Sequence, residues 1–202
     1  MILYVVRHGQ TQYNVEKRFQ GQVDVPLNST GMQQVMDLSY KLSDIHLDLI
    51  ISSPLSRALD TAKSIQKNNN VPIIINNDLI ERGFGNFEGL TDLSPYDCDI
   101  NKLLDYNLNY SLQNVEPIQS LFRRISDFIS KCYSEYPEKT ILLSTHGGVV
   151  EVIECLLKNL PFSTNLKSLS LSNSEYRKYD DLCISRFIQN KNKHTKKDDA
   201  IR

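Results

Sequence analysis

The sequence has almost no net charge and no long apolar run, and each absence argues against a class of protein. Its 23 basic and 24 acidic residues leave a formal charge of −1, whereas a general binder of nucleic acid or anionic membranes needs a basic excess. No apolar run approaches the roughly 20 residues that a membrane-spanning helix needs. We therefore expect no nucleic-acid or membrane partner, and any anion-binding site has to be local.

Cysteines are few and widely spaced, at Cys98, Cys132, Cys155 and Cys183, with no C-x-x-C pair. This pattern fits reduced thiols better than a disulfide framework. The first residues carry neither the basic segment nor the apolar length of a secretion signal. We therefore expect a cytoplasmic protein.

Strands and helices alternate along most of the 202 residues. The pattern predicts an α/β fold with a mostly parallel sheet. We expect one domain over residues 1–188, with a small helical insertion near 91–116 and a flexible tail at 189–202. The length allows one substantial core.

The individual elements follow from hydrophobic periodicity and end signals. Predicted strands are 2–6, 48–53, 71–78 and 140–145, with two short ones near 168–171 and 182–188. Predicted helices begin near residue 29, with Met32, Val35, Met36, Leu38 and Leu42 on one side, at Ser53-Pro54 with Ser53 as the N-cap, at residue 117, and after Gly148. The insertion contains a short helix over 100–106.

Two histidines directly follow predicted strands, and a glycine follows each of them. His8 comes after the strand 2–6 and His146 after the strand 140–145. Ligands of open α/β sheets bind beyond the carboxyl ends of the strands. Arg7 and Arg57 belong to the same edge, and the helix after Gly147 would point its positive end toward it.

This set favours a phosphoryl group over a metal ion. Guanidinium groups match phosphate oxygens and would repel a divalent cation, and no metal-ligand spacing is present. A neutral imidazole with one ring nitrogen free can attack phosphorus. We predict His8 as the nucleophile and Glu81 as the proton donor. Asn14, Gln20 and the Gly21 amide can complete the cradle. We predict neither a metal nor a cofactor.

Five segments together resemble the histidine phosphatase superfamily in its phosphoglycerate-mutase-like branch. They are VVRHGQTQYN, RFQGQVDVPLNSTG, ISSPLSRALDTA, LIERGFGNFEG and LLSTHGGVVEV, and they follow the family's order and spacing. The resemblance implies a three-layer α/β fold, in which a mixed and mostly parallel sheet has helices on both faces. It also implies a phosphohistidine at His8, with Arg7, Asn14, Arg57 and His146 holding the phosphoryl oxygens. It places Gln20 and Gly21 at the substrate and implies that Glu81 protonates the leaving group and then activates water.

Three functions fit this resemblance. A phosphatase for small phosphorylated metabolites is favoured, because Gly83 and Phe84 stand where the family's mutases carry a histidine-tyrosine pair. This pattern is similar to the phosphatases of the family, α-ribazole phosphatase among them. A cofactor-dependent phosphoglycerate mutase and a non-catalytic phospho-ligand binder are the alternatives. The oligomeric state is open between monomer and homodimer.

Other polar and aromatic residues have competing interpretations. Glu88 is the rival carboxylate and is expected to be structural, whereas Arg18 fits a surface charge and a pocket entrance equally well. Phe84 and Phe87 fit the substrate mouth or simple packing equally well. His46 and His194 lack basic neighbours and are not expected in the site.

Overall fold

The described residues form one mixed sheet of five strands. The computed structural model describes residues 1–91, 113–162 and 164–199. The strands are β1 (Ile2–Arg7), β2 (Leu49–Ser52), β3 (Ile73–Ile75), β4 (Thr140–Thr145) and β5 (Tyr176–Tyr179), in the order β3-β2-β4-β1-β5. All neighbours pair parallel except β5, which is antiparallel to β1. The mostly parallel sheet is confirmed.

Helices cover both faces of this sheet. They are α1 (Gln12–Val15), α2 (Ser29–Lys41), α3 (Ser56–Asn69), α4 (Ile118–Glu135), α5 (Gly147–Leu157) and α6 (Asp181–Asp199), with 3₁₀ turns at Asn77–Leu79, Gly85–Phe87 and Leu166–Leu169. Buried side chains of α2 and α3 pack on one face, and those of α4, α5 and α6 on the other. The three-layer architecture is confirmed.

Strand β1 shows why the layers form. Leu3 and Val5 belong to the core under α4, α5 and α6, while Tyr4 and Val6 belong to the core under α2 and α3. All four are buried, because a central strand covered on both faces has no solvent side. The continuous apolar run in the sequence is the signature of that position.

The predicted strand at 168–171 is wrong, and so is the one at 182–188. The first region forms the 3₁₀ turn Leu166–Leu169, the second lies inside α6, and the fifth strand is the polar segment Tyr176–Tyr179. This strand pairs only with β1 in the described sheet, and Tyr176 and Lys178 on it are exposed, so it needs little apolar character.

Within α6, Ile184 and Phe187 are buried three residues apart, while Leu182 is 65% exposed. That spacing is helical, but a short apolar run does not distinguish a helix from a strand. The same helix continues to Asp199, through much of the segment from residue 189 that was expected to be a flexible tail.

Two details of the predicted helices need correction. Met32 and Met36 are 49% and 45% exposed, whereas Val35 and Leu38 carry the buried face of α2. Ser53 is not an N-cap: α3 begins at Ser56, whose amide and hydroxyl both donate to the Asp24 carboxylate, at 2.8 and 2.7 Å. A distant acidic side chain thus takes over the capping, leaving Ser53 for other contacts.

Of the predicted insertion 91–116, residues 92–112 lie outside the described residues, and with them the short helix at 100–106. Val115 is described and packs beside Phe87 in a small separate cluster. The stripe of α4 is buried as expected, at Ile118, Leu121, Phe122, Ile125, Phe128, Ile129 and Cys132.

Candidate active site

The two histidines meet because their strands are neighbours. Arg7 and Thr145 are partners at the carboxyl ends of β1 and β4, and His8 and His146 are the first residues after these strands. The His8 amide donates to the Thr145 carbonyl at 3.0 Å. The two imidazole centroids lie 5.2 Å apart with their planes at 61°.

His8 is held as a neutral ring with one nitrogen unprotonated. Its Nδ1 lies 2.6 Å from the Gly9 carbonyl oxygen, which can only accept, so Nδ1 carries the proton. Burial, and then the charge of Arg57, lower the pKa of His8 to about 3. Nε2 therefore has a free lone pair at neutral pH, the state that a nucleophile requires.

His146 has the opposite tautomer. The Arg57 Nε donates to Nδ1 at 3.2 Å, so the ring proton lies on Nε2, 2.7 Å from the Ser53 hydroxyl oxygen. The side chain is fully buried, and this burial together with the charge of Arg57 lowers its pKa well below the ordinary value. His146 is therefore also neutral and offers one N–H donor.

Arg57 connects the turn that contains Gly21 and Val23 to His146. Its Nη1 donates to the Val23 carbonyl at 2.8 Å and its Nη2 to the Gly21 carbonyl at 2.7 Å. The side chain is fully buried, and desolvation lowers its pKa to about 10. A guanidinium with that pKa stays charged at neutral pH, and each of its terminal nitrogens keeps a second hydrogen.

Arg7 presents one donor that has no partner in the described part of the chain. Its Nη1 donates to the Leu171 carbonyl, while its Nε is buried and has no hydrogen-bond partner among the described residues. A Cβ at Gly147 would lie 3.6 Å from the Arg7 Nε, so the start of α5 comes close to this guanidinium. A buried unpaired donor of this kind is costly unless a ligand accepts from it.

Glu81 lies at the positive end of α5. One carboxylate oxygen accepts from its neighbour Arg82's amide at 2.8 Å, and the other accepts from the Gly148 amide at 3.2 Å. The N-cap residue His146 makes no side-chain capping hydrogen bond, and the Glu81 carboxylate pairs with one of the amides that this leaves at the start of the helix. Glu81 is 9% exposed, so it can meet a ligand while staying fixed.

The amide side chains of Asn14 and Gln20 turn their oxygens toward Thr11. The Thr11 hydroxyl lies 2.6 Å from Gln20 Oε1, and the Thr11 amide donates to Asn14 Oδ1 at 3.0 Å. The NH₂ groups therefore point the other way, as donors. Gly21 has a φ of +51°, and a Cβ there would collide with Glu88, so this turn requires glycine.

Glu88, Phe87 and Arg18, which had more than one interpretation in the sequence, each have defined contacts in the structure. Glu88 accepts from the Gln22 and Phe84 amides, both at 2.9 Å, so the expected structural role of Glu88 fits. Phe87 is fully buried and packs against Val115. Arg18 pairs with Glu16 at the surface and donates to the Gly89 carbonyl.

Three polar residues in or near this site could not be identified from the sequence. Ser53 bonds the His146 ring, and Asn173 donates to the His8 carbonyl. Glu151 lies one turn into α5, where it accepts from the Ser170 hydroxyl, and burial raises its pKa to about 7. All three depend on tertiary contacts that leave no periodic pattern in the chain.

The fold and these side chains define a phosphoryl-transfer class of enzyme, and comparison with known proteins supplies the family. The profile of the histidine phosphatase superfamily (branch 1) matches residues 3–181, so the chain belongs to that superfamily. It is an enzyme of the phosphomonoesterase type.

Three similar proteins illustrate the range of the family. An uncharacterized phosphatase, PhoE, of Bacillus subtilis is 33% identical over 85% of this chain and 86% of its own. The probable phosphoglycerate mutase GpmB of Escherichia coli is 29% identical over 87% and 85%. The crystal structure of the α-ribazole phosphatase from Shigella flexneri is 29% identical over 89% and 90%, with a TM-score of 0.79.

The described ranges contain neither a membrane-spanning helix nor a cluster of metal ligands. None of the helices there is long and apolar enough to cross a bilayer. Across the same ranges, no three His, Cys, Asp or Glu side chains come together as a metal ion would require.

Proposed function

We propose that the protein hydrolyses phosphate monoesters of small metabolites, without a metal ion, through a phosphohistidine on His8. The observation that carries the proposal is the His8 ring, which is buried, neutral and unprotonated at Nε2, beside two guanidinium groups. Such a ring can form a bond to phosphorus, and the arginines stabilise the charge on the equatorial oxygens.

The first half-reaction forms the phosphoenzyme. The His8 Nε2 lone pair attacks phosphorus, and the bond to the ester oxygen breaks. Glu81, entering as the carboxylic acid, gives its proton to that oxygen, so the alcohol leaves neutral. Glu81 is then a carboxylate, held by the amides of Arg82 and Gly148.

The second half-reaction uses the same groups in reverse. The Glu81 carboxylate takes a proton from water as its oxygen attacks phosphorus, and the phosphorus–nitrogen bond breaks. Inorganic phosphate leaves, and the His8 ring regains its lone pair. We assign the phosphoryl oxygens to donors on Arg7, Asn14, Arg57 and the Gly147 amide, and the substrate side to Gln20 and Gly21. The His146 Nε2–H joins these donors when it exchanges the Ser53 hydroxyl for a phosphoryl oxygen.

A phosphatase is favoured over a mutase by the segment after Glu81. Arg82 is 4% exposed and donates through Nε to the Glu116 carbonyl, and its guanidinium lies over the Phe84 ring. The Arg82 side chain is therefore already engaged by protein groups. Gly83 and Phe84 have no polar side-chain groups that could bind a second phosphate. The likeness to GpmB keeps phosphoglycerate mutase as the second candidate.

Hydrolysis of p-nitrophenyl phosphate in the presence of a chelator tests the proposal. We expect turnover by the wild-type protein, none by His8→Ala, and wild-type rates for His46→Ala, because His46 is 88% exposed and remote from the site. Quenching in alkaline detergent should trap an acid-labile, base-stable phosphoenzyme. Retained activity in His8→Ala refutes the nucleophile.

A second assay separates the alternatives. With a phosphoglycerate and a bisphosphoglycerate present, a mutase transfers phosphate to the acceptor faster than to water, whereas we expect water to dominate. A protein that binds phosphate without any turnover would be the non-catalytic binder.

We also propose a reducing, cytoplasmic setting, which agrees with the free thiols of Cys132, Cys155 and Cys183.

A further inference from the structure

The turn before β5, residues 171–174, contacts several groups of the proposed phosphate cradle. The Leu171 carbonyl accepts from the Arg7 guanidinium, and the Ser174 amide donates to the carbonyls of Arg7 and His8 at 3.0 and 3.2 Å. The Asn173 side chain donates to the His8 carbonyl at 3.0 Å. One short turn therefore fixes the backbone on which the nucleophile stands.

Asn173 also reaches a second cradle residue. Its Nδ2 lies 3.3 Å from Asn14 Oδ1, so its two hydrogens match two acceptors, the His8 carbonyl and the Asn14 amide oxygen. An asparagine amide can adopt two flipped orientations, and the hydrogen-bond partners decide between them. With Thr11 and Asn173 both donating to Oδ1, the Asn14 NH₂ group is directed away from them as a donor.

The residue after Asn173, Ser174, is held in an unfavourable backbone conformation. Ser174 has a φ of +57°, in the left-handed region that serine rarely adopts. Its Oγ is buried and has no hydrogen-bond partner among the described residues. Strained conformations of this kind persist where the surroundings impose them, and they concentrate at functional sites.

We propose that Asn173 is a positioning residue, which sets the orientation of the Asn14 amide and the position of the His8 backbone before substrate binds. The proposal rests on the proposed function of the cradle and extends it to a residue that touches no substrate atom. Its rival is a purely structural role, in which Asn173 only fastens β5 to the sheet edge.

A double-mutant cycle distinguishes these roles, with two measurements on each protein. One is kcat/KM for p-nitrophenyl phosphate, and the other is the affinity for orthovanadate by calorimetry, which needs no turnover. We expect Asn173→Ala to lower both by roughly 5- to 10-fold, the effect of one buried hydrogen-bonding partner. When Asn14 is already alanine, Asn173→Ala should lower kcat/KM and vanadate affinity by about half that factor or less, because the Asn14 amide that Asn173 positions is absent.

Two further variants complete the test, one with the shape of asparagine and one as a control. Asn173→Asp has the same shape but places an acceptor against the His8 carbonyl and Asn14 Oδ1, so it should lose more than Asn173→Ala in both measurements. Asn165→Ala is the matched control: Asn165 lies in the same connection and caps the turn Leu166–Leu169, without contacting the cradle. Its kcat/KM should be unchanged even if its melting temperature falls.

The outcomes separate this inference from the proposed function. If the wild-type protein binds vanadate but never turns over, the proposed function fails, and the vanadate affinities alone decide the inference. Fully additive losses in the cycle, or wild-type values for Asn173→Ala, overturn the positioning role while leaving the phosphatase intact. A protein that binds no vanadate and has no turnover overturns both. Should Asn173→Ala not fold, Asn173→Ser, which keeps a hydroxyl donor, replaces it.

Discussion

The Arg57 Nε donates a hydrogen bond to His146 Nδ1 across 3.2 Å, and this contact orders half of the site. A guanidinium has no acceptor, so the histidine has to be unprotonated at Nδ1 and to carry its proton on Nε2. The arginine therefore selects the tautomer of its neighbour, while its terminal nitrogens hold the Gly21 and Val23 carbonyls.

Arg57→Lys should lower kcat/KM by roughly 100- to 1,000-fold, comparable to losing a preorganised donor in an oxyanion site. Lysine is a single flexible ammonium that cannot reach the histidine and both carbonyls at once, and burial would lower its pKa. Steady-state kinetics with p-nitrophenyl phosphate measure the effect. The control is Arg123→Lys on the exposed side of α4, and a loss below threefold at Arg57 would show that charge alone suffices.

Glu81→Gln should slow hydrolysis of alkyl phosphates more than hydrolysis of p-nitrophenyl phosphate. The activated phenolate leaves without a proton, whereas an alkoxide needs one from Glu81. We expect at least a 100-fold loss with the alkyl ester, the range of general acid catalysis, and a smaller loss with the aryl ester. The ratio of the two kcat/KM values is the readout, and Glu138→Gln at the surface is the control. Equal losses for both esters would remove the acid role.

The site could be placed from the sequence as far as its residues follow strands. His8 and His146 each end a buried apolar run, so the pairing of two parallel strands brings them together. Ser53 was misread as a helix cap, because the sequence does not show that Asp24 caps α3 from a distance. The role of Asn173 cannot be predicted from the sequence for a similar reason, because its contacts are with residues about 160 positions away along the chain.

The histidines should make the protein less stable in acid. Burial lowers the pKa of His8 from 6.5 to about 3, so between these values the unfolded chain binds a proton that the folded protein excludes. Stability is then complete above pH 6.5 and is lost as the pH falls toward 3. Between pH 7.5 and 5, His8 alone should remove about 2 kcal/mol from the free energy of unfolding.

Urea unfolding followed by circular dichroism at both pH values measures this loss, since the chain has no tryptophan to report it. His8→Asn, which retains a donor for the Gly9 carbonyl, should reduce the difference between the two pH values. His46→Asn should leave it at the wild-type size, because that ring is exposed. An unchanged difference in His8→Asn would mean that His8 takes up its proton in the folded state.

The paired glycines at the start of α5 offer a test of how closely Glu81 is held. A Cβ at Gly148 would lie 2.8 Å from a Glu81 carboxylate oxygen, closer than real contacts allow, whereas a Cβ at Gly147 would have only ordinary contact with Arg7, at 3.6 Å. Gly148→Ala should therefore displace the carboxylate and reduce kcat about 10- to 100-fold by weakening acid catalysis. Gly147→Ala should reduce kcat by a smaller factor.

Alanine favours a helix over glycine, so neither variant should lower the melting temperature. Lost activity at unchanged or raised stability would locate the effect in Glu81 rather than in folding. The loss in Gly148→Ala should also be larger with alkyl than with aryl phosphates, since only the former depend on the displaced acid. If Gly147→Ala proves the more damaging change, the contact between α5 and Arg7 limits the reaction and the position of Glu81 does not.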